Sequence, residues 1–333
     1  MICEFDSNMN LVKTGDKIFS NFFGKFKIFA RLFRQVIYSV KKIGKDNFVI
    51  SSGNGFYCLN TNNLRLTKIK TPADFKKCLN VGVVDIEGDS HIIYSNYYAN
   101  LNKNEISIYI APVNRINDYK LVYTFKKNTI NHIHSFYQNP LSKEIFFNVG
   151  DDCEQVGVWK LNIQSCKIEP IVIGSQDYRS VFCWFNENKY IYATDFPGGN
   201  NSLKSIDISK SGIDIETIAS IKGPVIYGTE TKNHIYFATS AEPVKNLGIM
   251  SFIPIFPIFQ SSYLYQYEKV SSKLKCIASA KKDWLNPYLF GFGSYQFPYI
   301  ENEAQLHVNR IGINKTISNI SHQSYSSYDL YDI

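Results

Sequence analysis

Three aspartates of this 333-residue chain are of a type and placement that could cleave a sugar bond: Asp151, Asp152 and Asp195. Glycoside hydrolysis uses two carboxyl groups, one protonated to assist the leaving oxygen and one ionised to attack or to activate water. We predict that one residue of the Asp151/Asp152 pair acts together with Asp195. The competing interpretation is structural, because aspartates in turns commonly accept hydrogen bonds from their own backbone.

Other polar and aromatic side chains are predicted to bind the substrate. Arg179 and Gln176 would bind anionic or hydroxyl groups, and Tyr178 would stack or donate a hydrogen bond. The remaining predicted substrate contacts are Glu154, Tyr227 and Glu230.

Two histidines complete the predicted substrate contacts, His132 and His134, which are two residues apart at the start of a predicted strand. Such a pair could bind a carboxylate or a metal ion. The sequence identifies no third ligand, so we predict no metal and no cofactor, and we favour buried inner-strand histidines.

These residues belong to a repeated unit of four apolar, aromatic-rich strands. The clearest copy runs from Asn131 to Ile173, with NHIHSFYQ, EIFFNVG, VGVWKLN and KIEPIVIG as its strands. Copies begin near Gln35, Leu79, Asn131, Tyr178, Gly223 and Pro287, and the tail from Gly291 is predicted to be incomplete. The spacing predicts an all-β fold, a five- or six-bladed β-propeller of four-stranded antiparallel blades, as one domain over residues 1–333.

Propeller geometry predicts where the candidate residues lie. In each blade, the loop between the second and third strands and the loop to the next blade emerge on the same face. The polar loops at 96–104, 151–154, 174–179 and 195–201 fall at those places. We therefore expect their side chains to converge at the propeller opening.

The segments HIHSFYQNPLSKEIFFNVGDDCEQVGVWK, GSQDYRSV and YATDFPGGNN resemble uncharacterised bacterial propeller proteins of the sialidase-like, BNR-repeat type. Such proteins are often labelled glycosyl hydrolases and are sometimes encoded among surface-polysaccharide genes. The resemblance implies a sialidase-like propeller that acts on a surface polysaccharide or its precursor. A typical sialidase is not expected, because the Ser-x-Asp-x-Gly-x-x-Trp box is missing and Arg179 is the one arginine of six in a predicted rim loop.

Two segments depart from the blade pattern. A basic aromatic segment (about 18–38) places aromatic residues of Phe22–Tyr38 at helical spacing, and an apolar insertion (about 246–260) contains Ile253–Phe259. Either could contact the surface of a membrane. The alternatives are that the first segment packs under the propeller rim and leads into the first inner strand, and that the second is a loop folded over the body.

Composition limits the other classes of function. Seven cysteines without a CxxC pair, and an N-terminus unlike a secretory signal, favour reduced thiols and a cytoplasmic location, peripheral to the inner membrane if those segments dock. The net charge of +7 is spread over lysines, so nucleic-acid binding is not expected. Three hypotheses stay open: a hydrolase, lyase or glycosyl-transfer enzyme; a non-catalytic scaffold that binds glycan or protein; and a structural body without a ligand.

Overall fold

A computed structural model describes residues 3–5, 11–18, 27–33, 36–151, 154–209, 214–242, 260–297, 306–314 and 325–328. Asp152, most of the apolar insertion and parts of the basic aromatic segment lie outside the described residues. The chain divides into two compact units, Met1–Pro170 and Ile171–Ile333.

The first unit begins with a two-stranded antiparallel sheet and a short helix, followed by three four-stranded sheets. The leading elements are β1 (Cys3–Phe5), β2 (Leu11–Thr14) and α1 (Lys27–Leu32). Blade one contains β3 (Ile37–Lys42), β4 (Asn47–Ser52), β5 (Gly55–Asn60) and β6 (Arg65–Lys68). Blade two contains β7 (Gly82–Ile86), β8 (Asp89–Ser95), β9 (Ile106–Pro112) and β10 (Lys120–Phe125). Blade three contains β11 (His132–Gln138), β12 (Ile145–Gly150), β13 (Gly157–Asn162) and β14 (Lys167–Ile173), and the last three residues of β14 belong to the second unit.

The second unit contains two four-stranded sheets and a smaller one. Blade four contains β15 (Ser180–Asn186), β16 (Lys189–Thr194), β17 (Asn201–Asp207) and β18 (Ile215–Ile221). Blade five contains β19 (Val225–Glu230), β20 (His234–Thr239), β21 (Ser261–Glu268) and β22 (Lys273–Lys281). The helix α2 (Pro287–Phe290) leads to a three-stranded sheet of β23 (Ser294–Gln296), β24 (Leu306–Ile311) and β25 (Tyr325–Tyr328).

The fold class is therefore the predicted all-β propeller, with five blades of four antiparallel strands. The four strands predicted for the copy from Asn131 to Ile173 are confirmed to within a few residues. The predicted incomplete tail is the three-stranded sheet, in which β24 and β25 are parallel, so it does not repeat the antiparallel blade.

The strands form because β-branched and aromatic side chains pack between neighbouring sheets. In the first unit, Val49, Phe56, Ile92 and Tyr94 belong to one core cluster. In the second unit, Trp184 packs with Phe237 and Tyr267. In blade three, burial is lower in the last strand: every residue of β12 is buried, whereas Val172 is the one buried residue of β14.

Antiparallel register fixes what lies at each end of a blade. His132, the first residue of β11, pairs with Gly150, the last residue of β12, so the β12–β13 loop emerges beside the start of β11. A β-bulge between Ile133 and Ser135 inserts His134 as the extra residue, and bulges of this kind redirect side chains.

The basic aromatic segment contains a helix and then a strand. Residues 27–32 form α1, and the first inner strand begins at Ile37. Ile28, Phe29, Leu32 and Phe33 are exposed. None of the described helices is long and apolar enough to cross a membrane. Peripheral membrane contact stays a prediction.

Candidate functional site

Three predicted residues of the first unit meet at one end of blade three. His132 and His134 lie at the start of β11, and Asp151 directly follows β12. The pairing of His132 with Gly150 brings the next residue, Asp151, to the two imidazole rings. We call His132, His134 and Asp151 the blade-three cluster.

The atoms of the blade-three cluster are close together. The Nε2 atoms of the two histidines are 3.2 Å apart. Asp151 Oδ2 lies 3.3 Å from His132 Nε2, and Asp151 Oδ1 lies 3.4 Å from His134 Nε2. One carboxylate therefore faces both ring nitrogens, and Asp151 is the third group that the sequence alone did not place beside the histidines.

A backbone carbonyl from blade two fixes the orientation of His132. The Nδ1 atom of His132 lies 3.1 Å from the carbonyl oxygen of Tyr98. Because a carbonyl oxygen only accepts, Nδ1 carries the proton and donates it. In the protonated ring, Nε2 donates to Asp151, and in the neutral ring it presents its lone pair to the cluster.

Gly150 makes the close approach of His134 geometrically feasible. A Cβ atom at residue 150 would lie 2.1 Å from His134 Nε2, a distance that non-bonded atoms do not tolerate. Glycine is thus required at this position by the imidazole packed against its backbone.

Burial and hydrogen bonding set the protonation of the cluster. Burial lowers the pKa of His132 below its usual value, and hydrogen bonding to Asp151 partly opposes that shift. Burial acts to raise the pKa of Asp151, but hydrogen bonds with His132 and His134 outweigh it and hold the pKa well below its usual range. The carboxylate is therefore ionised at neutral pH.

Access to the cluster is through Asp151. The side chains of His132 and His134 are 4% and 1% exposed, whereas that of Asp151 is 32% exposed. The two imidazoles are shielded from solvent, so Asp151 is the residue of the cluster that a ligand in solvent can reach.

Sequence reasoning missed one aromatic residue of the site, Tyr97. Its ring centroid lies 4.5 Å from that of His132 and 6.3 Å from that of His134. The backbone N–H of Tyr97 donates to the carbonyl oxygen of Lys77, and the side-chain amide of Asn96 bonds the backbone of Asp74 and Lys76. The signal that could have found Tyr97 is its place in the loop after β8, the counterpart of the loop that carries Asp151.

The second unit places two other predicted residues together, Arg179 and Asp195. Arg179 Nε donates to Asp195 Oδ2 over 3.1 Å, and the two side chains are 10% and 4% exposed. Their backbones are also paired, since the N–H of Asp195 donates to the carbonyl oxygen of Arg179. Asp151 and Asp195 belong to different units, so their joint action stays a prediction.

The other predicted substrate contacts are dispersed along the second unit and the β12–β13 loop. Gln176 and Tyr178 form a 3-10 turn capped by Ser175, whose hydroxyl accepts from the N–H of Asp177. Tyr227 lies within β19 and Glu230 at its end, where Glu230 pairs with Lys269 over 2.6 Å.

The register of blade five puts Glu230 at the opposite end of β19 from Val225, beside the hairpin to β20. That is the end away from the loops predicted to hold the site, so the structure does not group Glu230 with them. Glu154 is exposed in the turn after Asp151.

The cluster also has the composition of a metal centre. Within the described residues, His132, His134 and Asp151 form a group whose ligand atoms all lie within 4.8 Å of one another. Two imidazoles and one carboxylate are ligands for divalent first-row transition metals.

No protein-family model matches the chain, and no curated protein matches it. Among solved structures, it is similar to the tricorn protease, with 11% identity, a TM-score of 0.48, and coverage of 73% of this chain and 22% of that chain. It is similar to an ancestral GH74 enzyme, with 9% identity, a TM-score of 0.47, and coverage of 73% and 34%.

A further similarity is to an oligogalacturonate lyase from Vibrio parahaemolyticus, with 9% identity, a TM-score of 0.46, and coverage of 76% of this chain and 71% of that chain. The chain thus spans 22% of the length of the tricorn protease and 34% of that of the GH74 enzyme. These distant likenesses do not indicate an activity.

Proposed function

We propose that this protein is carbohydrate-active and that its ligand site is centred on Asp151 in the first unit. The observation that carries the proposal is a single arrangement: a partly exposed carboxylate, held between two buried imidazoles, beside the ring of Tyr97. The resemblance of the Asn131–Asn201 region to sialidase-like propellers gives the proposal its substrate class.

Each member has a role that follows from its position. The oxygens of Asp151 accept hydrogen bonds from sugar hydroxyls, because this carboxylate is ionised and reachable. His132 and His134 hold the carboxylate in place. The ring of Tyr97 supplies an apolar surface next to the polar cluster. A ligand with both polar and apolar faces, such as a sugar, can contact both.

A second candidate function is binding of a glycan without cleavage. It is favoured by the state of Asp195, whose Oδ2 is bonded to Arg179 and whose side chain is almost fully buried. Two-carboxylate hydrolysis needs both groups at the sugar. With Asp195 engaged in an ion pair, Asp151 is the one accessible carboxylate of the predicted pair that the structure describes.

A glycan array and a reducing-end assay on bacterial polysaccharides test the proposal. We expect the wild-type chain to bind at least one glycan class and Asp151→Asn to lose most of that binding. Asp85→Asn is the matched control, because Asp85 is a partly exposed carboxylate of the same unit that pairs with Lys143. Release of new reducing ends by wild type alone would identify an enzyme, and binding without release would identify a binding module.

Two results would overturn the proposal. One is no binding and no cleavage on any glycan. The other is a glycan affinity that is equal in the wild type, Asp151→Asn and Asp85→Asn.

A further inference from the structure

We propose that the blade-three cluster binds one divalent first-row transition-metal ion, with His132 Nε2, His134 Nε2 and a carboxylate oxygen of Asp151 as its three protein ligands. This inference does not depend on the ligand being a carbohydrate. It assigns a metal site where the sequence predicted none.

The distances between ligand atoms fit a single ion. Zinc lies about 2.0–2.2 Å from imidazole nitrogen and carboxylate oxygen, so two ligands at a tetrahedral angle are about 3.3–3.5 Å apart. The two Nε2 atoms are 3.2 Å apart, and each lies 3.3–3.4 Å from a different oxygen of Asp151. With one ligand atom taken from each residue, the three atoms lie within 4.8 Å of one another, so a shared ion needs only a limited adjustment of the side chains.

The hydrogen bonding of His132 also fits a bound cation. The Nδ1–H of His132 donates to the carbonyl oxygen of Tyr98, and such an outer contact commonly orients a metal-bound histidine. Nε2 is then the ring nitrogen of His132 that faces the cluster. The Asp151 carboxylate supplies one negative charge against the two positive charges of the ion.

The surroundings of the cluster suit an ion that has one coordination position free of protein ligands. The histidines are buried, and Gly150 brings backbone against His134 where any larger residue would displace the ring. Asp151 leaves the cluster partly open to solvent. Three protein ligands with an accessible fourth position are typical of catalytic rather than structural zinc sites. Two histidines and one carboxylate also match the ligand set of non-haem iron sites.

The alternative is a metal-free hydrogen-bonded cluster in which a proton lies between the imidazoles and the carboxylate. Both arrangements keep the same residues together. They differ in whether the folded protein takes up one ion per chain, so metal stoichiometry separates them.

The experiment uses the full chain, stripped with a chelator and dialysed against Zn²⁺, with bound metal measured by inductively coupled plasma mass spectrometry. We expect about one zinc per chain for the wild type. For Asp151→Asn, we expect affinity to fall by more than the roughly 10–100-fold caused by loss of an outer contact. His91→Gln and Asp85→Asn are matched controls in the same unit, and both are expected to keep wild-type binding.

Cobalt gives a second readout. Co²⁺ in a tetrahedral site absorbs visible light strongly, and this absorption is expected in the wild type and in the two controls but not in Asp151→Asn. His134→Ala is expected to lose it as well. If that variant fails to fold, Asp151→Asn keeps the test valid, since it preserves the side-chain shape.

Thermal unfolding completes the test, because an ion bound to the native state raises the melting temperature. We expect Zn²⁺ to stabilise the wild type more than Asp151→Asn. The proposal is overturned by a wild type that binds no ion under these conditions, or by equal binding in wild type and Asp151→Asn. A metal-binding protein without glycan affinity would refute the proposed function and leave this inference intact.

Discussion

Asp151 and Asp195 occupy the same position in two successive blades, yet their surroundings differ. Each directly follows the second strand of its blade, β12 in blade three and β16 in blade four. Asp151 faces two imidazoles and is 32% exposed, whereas Asp195 is bonded to a guanidinium and is 4% exposed. The comparison shows that the blade fixes where a carboxylate lies, while its neighbours decide whether a ligand can reach it.

The residues before the two aspartates differ in a way that explains the contrast. Blade three ends its second strand with Gly150, which lets His134 approach the backbone. Blade four has Thr194 there, whose hydroxyl bonds Asn201 and closes the loop around Asp195. The contrast supports the proposed ligand-binding role of Asp151, and the joint action of Asp195 with Asp151 stays a prediction.

The largest effect is expected from Arg179→Leu, which would leave Asp195 buried without its cation. Breaking a buried ion pair by removing one partner typically costs about 3–5 kcal/mol. Urea unfolding should show a loss in that range. A loss below about 1 kcal/mol would mean that the Arg179–Asp195 pair does not stabilise blade four. It would contradict the contrast drawn between Asp195 and Asp151.

Gly150→Ala is expected to destabilise less but to damage the blade-three cluster. The new Cβ atom would overlap His134 Nε2, and overpacking of this kind costs about 1–3 kcal/mol. Unfolding free energy and zinc binding should both decrease.

Gly44→Ala is the control for Gly150→Ala. Its Cβ atom meets open space, and its positive φ of 85° contributes backbone strain alone. If Gly150→Ala keeps full zinc binding, the position of His134 in this account is wrong.

Tyr97→Leu is expected to reduce glycan binding with a small change in stability. Aromatic pairs contribute about 0.5–1.5 kcal/mol beyond their buried area, and the ring contacts of Tyr97 with the histidines fall in this class. Isothermal titration with the best array ligand measures the affinity. Tyr123→Leu in blade two is the control, because its ring packs against Phe125, outside the cluster.

The smallest effect is expected from Glu230→Gln. The Glu230 side chain is 53% exposed in its pair with Lys269, and exposed ion pairs contribute about 0.2–1 kcal/mol. Glycan affinity should stay at the wild-type level, because Glu230 lies at the hairpin end of β19. A large loss of affinity would indicate that Glu230 contacts the glycan, as the sequence predicted.

The blades could be predicted from the sequence because their signal is local. Runs such as EIFFNVG and VGVWKLN have strand composition and turn residues at their ends, and they form β12 and β13. The number of blades could not be determined from the sequence, because the C-terminal tail also has strand composition. In the structure this tail forms a sheet that contains a parallel strand pair and is not a blade.

The site was only partly predictable, because its partners depend on register and bulges. The sequence named His132, His134 and Asp151, but it could not show that one carboxylate meets both rings across an antiparallel pair. It also could not distinguish Asp151 from Asp195, which have similar local contexts. Nor could it show that Arg179 pairs with Asp195, because a buried ion pair has no signature in the sequence pattern.

Zinc binding by Asp151→Asn and Asp195→Asn, measured side by side by equilibrium dialysis, tests the central claim most directly. The account predicts that Asp151→Asn loses the ion, while folded Asp195→Asn retains about one ion per chain despite a lower unfolding free energy. The opposite pattern, or equal zinc binding by the two variants, would contradict it.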